Sequence, residues 1–134
     1  MSEWSLDAFN ASAEALRAHT GCYDRRRMGE VALCFWPDEL VCWQAHVLVE
    51  PQRAARLTKS IVRRLYCRCS SERRRGRAGH WTYNTAEHRA LVDSLRAEIM
   101  VLRWQREWGA KLGEARERSK CPAAELERQP VIMT

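Results

Sequence analysis

Arginine side chains suited to binding phosphate crowd one stretch of this 134-residue chain. Between Pro51 and Ser71 there is no Asp or Glu, while Arg53, Arg56, Lys59, Arg63, Arg64 and Arg68 all fall there. Glu72 follows, and then Arg73, Arg74, Arg75 and Arg77. Residues 61–80 hold seven Arg and one Glu, a local balance of +6 that equals the formal charge of the whole chain. The basicity is therefore placed, and the rest of the sequence is near neutral. Of the 23 basic residues only Lys59, Lys111 and Lys120 are Lys. A guanidinium offers a planar fork of donors that matches phosphate and carboxylate and stacks on rings; a GC-rich coding sequence would favour Arg as well. A track of cations that neutralises successive phosphates releases their counterions and gives salt-dependent affinity. Arg53, Arg56, Lys59, Arg63, Arg64, Arg73, Arg74, Arg75 and Arg77 are thus the candidate contacts to nucleic acid or another polyanion. Trp81 and Tyr83, just beyond the run, are candidate stacking partners for unpaired bases. An acidic protein surface, or a plain solvated face, would account for the same charge run.

A second set of residues has metal-ligand chemistry. Cys42 and His46 are four apart and share a face if helical, and Cys67 and Cys69 form a C-x-C pair. Together they make four ligands of the kinds that zinc takes in tetrahedral array, with Cys22, Cys34 and His80 as substitutes. Against this stand the absence of any C-x2-C pair and the habit of free Cys to serve as a small buried hydrophobe. Ordinary core cysteines are the simpler expectation, and no other cofactor is implied. For catalysis the sequence offers neither a Gly-rich phosphate loop nor G-x-S-x-G nor H-E-x-x-H. Asp38-Glu39 reads as a helix start, and no enzyme is expected.

These side chains need elements to position them. Residues 5–19 read as a helix N-capped by Ser5, with Trp4 and Phe9 placed for a hydrophobic staple and Gly21 at the exit. A polar connection carries Arg25-Arg26-Arg27, and residues 31–36 are apolar with helix and strand both open. Pro37 starts a central helix whose residues 40–49 are apolar almost all round. Pro51 starts the basic helix, which buries Ala54, Leu57, Ile61 and Leu65 and extends to about Cys69. Residues 70–80 read as an exposed Arg-rich loop. Asn84, with Glu87 three residues on, caps a long last helix running to about Ser119. Its apolar residues form two stripes about half a turn apart at ~100° per residue, Leu91, Leu95, Ile99 and Leu102, then Val101, Trp104, Trp108 and Leu112. Trp36, Trp43 and Trp81 are expected in the core. Trp104 and Trp108 are candidates for a protein interface, homodimeric or otherwise, with a second core contact as the alternative. Residues 121–134 read as a loose tail.

The sequence therefore predicts an all-α single domain of four or five helices over residues 1–120, with a flexible tail after it. No apolar run approaches a membrane span and no secretory signal is visible, so a cytoplasmic protein with reduced cysteines is expected, in a bacterium or an infected host cell. The functional expectation is a small non-enzymatic regulatory protein that contacts nucleic acid or a nucleoprotein complex through the basic helix and loop. A phage- or virus-type inhibitor or adaptor, using the basic face and the Trp-bearing helix on a host machine, is the second reading. A zinc-stabilised interaction module is the third.

Overall fold

The computed structural model describes residues 4–21, Arg25 and 43–133, with side chains through Ser119. Trp36, Cys22, Cys34, Cys42, the apolar run 31–36 and the start at Pro37 lie outside these. Helix α1 spans Leu6–His19 and begins as its sequence predicts: Ser5 is extended and its side chain accepts a hydrogen bond from the Ala8 amide. Trp4 stacks on Phe9 with ring centroids 5.7 Å apart, which is the expected staple. Gly21 follows at φ 66°, a left-handed turn open to glycine. Helix α2 spans Trp43–Val49, and α3 spans Pro51–Arg77 with Pro51 in its first turn. Helix α4 spans Thr85–Met133, and the Asn84 side chain accepts from the Glu87 amide at its start. The described residues are all-α.

Two boundaries differ from the sequence reading. The Arg run 73–77 is the end of α3 and not a loop. Helix α4 continues past Cys121-Pro122, where a loose tail is expected, to Met133.

Helices α3 and α4 form a long antiparallel hairpin, the most extensive contact among the described helices. On α3 the buried positions are Ala54, Thr58, Ile61, Leu65, Cys69 and Glu72, spaced by threes and fours. On α4, Leu91, Ser94, Glu98, Val101, Gln105, Trp108 and Leu112 repeat the same alternation and are all buried. Such a 3-4 repeat keeps one seam of each helix facing its partner. Two glycines leave room for a neighbouring side chain on the hairpin. A Cβ on Gly109 would meet Pro51 Cβ at 2.9 Å, and one on Gly76 would meet Tyr83 Cζ at 2.9 Å.

The apolar packing divides into two clusters. At the base, α1 and α2 close on the hairpin through Phe9, Ala13, Trp43, Val47, Ala54, Val101, Trp104 and Trp108. Farther along, Ile61, Leu65, Cys69 and Leu91 pack with Val92 and Leu95 between α3 and α4 alone. A buried polar layer lies between the two clusters along the hairpin. Arg25 donates through Nε and Nη2 to both carboxylate oxygens of Glu98, at 2.8 and 2.6 Å, and through Nη2 to Thr58 Oγ1 at 3.0 Å. Arg25, Glu98 and Thr58 are at most 3% exposed. A charge pair this deep is tolerated only because the fork satisfies both oxygens, and deleting one partner typically costs about 3–5 kcal/mol.

Candidate functional site

The length of α3 decides what its cations do. Its inward seam fixes the rotation of the helix, and the other directions face solvent, the flanks of α4 and, in part, α2. Arg53, Arg56, Lys59, Arg63, Arg64, Arg73, Arg74, Arg75 and Arg77 are all exposed. The helix has a single carboxylate, Glu72, and this is turned into the seam with 2% exposure. The solvent face of α3 therefore carries basic residues and no acid along its length. From Arg53 to Arg77 that ridge is about 36 Å long at the α-helical rise of ~1.5 Å per residue. Arg56, Arg63 and Arg74 fall close to its centre line, with Lys59, Arg73 and Arg77 on one side and Arg53 and Arg64 on the other.

Some of these cations are engaged. Arg75 pairs with Glu72 at 3.1 Å, with Arg68 4.0 Å from the same oxygen, and Arg53 reaches Glu50 at 3.5 Å. The side chains of Arg56, Lys59, Arg63, Arg73, Arg74 and Arg77 make no hydrogen bond or ion pair among the described residues. Glu72 Oε2 is buried without a hydrogen-bond partner, and Oε1 meets Arg75 and Arg68, so the only acid on α3 offsets charge at these two residues and leaves the rest of the ridge without a carboxylate on its own helix.

Residues 78–84 close the hairpin at the far end of the ridge. Gly79 sits at φ 63°, the His80 amide donates to the Arg75 carbonyl and the Tyr83 amide to the His80 carbonyl. Thr82 contacts His80 Nδ1 through both its amide, at 3.2 Å, and its hydroxyl, at 2.7 Å. Trp81 stacks beside His80, centroids 5.9 Å apart and planes 21° from parallel. Trp81 is 89% exposed, so the expectation that it fills the core is corrected. The turn is anchored to itself and to α3, and His80 is the one ring beside the indole among the described residues. Tyr83 is differently placed: its ring lies over Gly76 and its hydroxyl is 2.9 Å from His88 Nδ1. Of the two stacking candidates, only Trp81 presents a ring to solvent.

Trp104 and Trp108 are in the core and not at an interface. Each is 6% exposed, and both indole N–H groups donate to Ser12 Oγ at 3.0 Å. Phe9 packs on both rings, and Trp43 meets Trp104 edge-on. They are the surface on which α1 docks. Of the zinc candidates that are described, Cys67 and Cys69 do not share a face. Cys67 is exposed and Cys69 buried, as a two-residue step of ~200° around a helix requires. Burial among Ile61, Leu65 and Leu91 pushes the Cys69 thiol above its ordinary range, a shift that the Arg73 charge partly offsets. His46 lies on α2, and Cys42 is outside the described residues. No group of three metal-binding side chains is gathered among the described residues.

On the opposite side of the arm, an open groove of about 340 Å³ is lined by Tyr83, His88, Arg89, Asp93 and Arg96. Its charge is mixed where that of α3 is not. No described helix is long and apolar enough to cross a membrane. The chain matches no protein-family model, no curated protein and no solved structure.

Proposed function

We propose that this chain is a non-enzymatic regulatory protein that binds nucleic acid, free or within a nucleoprotein complex, through the solvent face of α3. The observation that carries the reading is the rigid ridge of α3: nine exposed basic residues on one helix whose only acid is buried in the seam. A solvated face kept for solubility alone would be expected to mix both signs, because like charges on one helix repel. Here the repulsion is tolerated along about 36 Å, at ~1.5 Å per residue, which matches roughly one turn of duplex. Arginine adds hydrogen bonds to phosphate oxygens to its charge, and such contacts fix orientation without reading sequence. The ridge is held in place by the seam before any ligand arrives, so little ordering of the backbone accompanies binding.

Fluorescence anisotropy with labelled 20-base-pair DNA and RNA duplexes at low salt tests this. Binding that weakens steeply with added salt is expected. Absence of binding to either duplex at 25 mM salt, together with a partner that survives nuclease treatment of a lysate, would replace this reading with an acidic protein partner.

A further inference from the structure

The hairpin joins two recognition chemistries in one rigid body, and their order along it narrows the ligand. The ridge of α3 is cationic along its length, and its one largely exposed ring is Tyr66, at 64%. Proteins that track single strands interleave aromatic rings with their cations, so that successive bases stack along the groove. The centre line Arg56, Arg63 and Arg74 has no ring in it and suits the paired backbones of a duplex.

The tip is different. Trp81 stands four residues beyond Arg77, where the ridge stops, and is held by the His80 stack and by the hydrogen bonds of the turn. An indole left 89% exposed at the end of a cationic ridge offers an open face on which another ring can stack. Inside a duplex both faces of every base are covered by neighbouring pairs. An indole finds an open base face where pairing is interrupted.

Resting on the nucleic-acid reading above, we infer that the ligand is a duplex interrupted by unpaired nucleotides, such as a stem with a bulge or loop. The α3 ridge lies along the phosphates of the paired part, and Trp81 stacks on an unpaired base at its margin. Arg73, Arg74 and Arg77 hold the backbone at the transition.

The probe is a 24-base-pair duplex with a central three-nucleotide bulge, made as DNA and as RNA. Its comparator carries the same bulge built from abasic sugars, which keeps charge, flexibility and ends the same. The native protein is expected to prefer the base-bearing bulge by about five- to a hundredfold in at least one of the two sets, the range that one base–aromatic stack provides. Trp81→Ala should abolish that preference while leaving affinity for the abasic comparator unchanged, and Trp81→Phe should restore part of it. Equal affinity for the two bulges in both sets, or a preference that persists in Trp81→Ala, overturns the inference. If binding is nevertheless salt-sensitive and weakened by Arg74→Gln, the α3 reading stands and only the role of Trp81 falls. Failure to bind any of the duplexes removes both.

Discussion

Replacing Arg56, Arg63 and Arg74 together by Gln removes half of the six ridge cations whose side chains make no hydrogen bond or ion pair among the described residues. All three are exposed and Gln is nearly as good a helix former as Arg, so the hairpin should keep its fold, which circular dichroism and a melting curve can verify. If each of the six neutralises one phosphate, the slope of log K against log salt is about −5.4 for B-form DNA, and about −2.7 in the triple variant. Between 50 and 200 mM salt the native protein then loses affinity about 2,000-fold and the variant about 40-fold. Anisotropy titrations of one labelled duplex across that salt range measure both slopes directly. Arg53, Arg64 and Arg75, each already engaged within the chain, should contribute less when replaced singly. A slope that the triple replacement leaves unchanged would refute the reasoning, because it would mean that the phosphates meet some other surface.

Four further outcomes concern the scaffold. Glu98→Gln should destabilise the fold by about 3–5 kcal/mol in urea titrations, since it strands the buried Arg25 charge, whereas Arg25→Met with Glu98→Leu should recover most of the loss. Ser12→Ala leaves the indole N–H groups of Trp104 and Trp108 without an acceptor and should cost about 1–3 kcal/mol by the same assay. Gly109→Ala should destabilise although Ala is the better helix former, because the new Cβ meets the rigid Pro51 ring; Gly76→Ala should also destabilise, and should become neutral or stabilising when Tyr83→Ala clears the space. Burial favours the neutral Cys69 thiol, so the folded state keeps that proton at pH values where the unfolded chain has released it. Stability should therefore hold below the ordinary thiol value near 9.0 and decline as pH rises past it, a decline that Cys69→Ala flattens and Cys67→Ala leaves in place.

Much of this fold is legible in the sequence where a local signal has a local cause. Ser5, the Trp4–Phe9 staple, Gly21, Pro51 and Asn84 each mark a boundary by their own chemistry, and each is found in that role. The seam of α4 is harder to read because three of its positions are polar. Ser94 donates back to the Ala90 carbonyl, Glu98 meets Arg25 from 73 residues away, and Gln105 donates to the Trp43 carbonyl. Apolar periodicity misses positions whose burial depends on partners so distant in sequence, although the two apolar stripes do meet different elements, Leu91 and Leu95 packing with α3 and Val101, Trp104 and Trp108 in the cluster that α1 closes. The end of α3 is obscured for a related reason. Its arginines and Gly76 resemble a loop, yet Glu72 continues the buried seam and Gly76 makes room for the Tyr83 ring. The basic residues of the ridge are legible from charge alone. That the Arg run belongs to the same rigid helix is not, because it depends on α4 lying alongside. Trp81 carries no sequence signal that separates it from the buried tryptophans; only the closed turn shows that it faces outward.

A helical hairpin with a seven-residue repeat has a weakness: sliding one helix past the other by a single repeat restores a similar apolar match. Such a slip would carry Trp81 and the end of the ridge about 10 Å along the hairpin axis, at ~1.5 Å per residue over seven residues. The buried layer of Arg25, Glu98 and Thr58 excludes it, because in the shifted alignment Glu98 would leave Thr58 and lie near Leu65 on one side or the helix start on the other. The layer therefore works as a registration pin. It sets how far the indole stands from the base of the molecule, and it makes that reach a fixed length that any ligand spanning the ridge and the indole has to match.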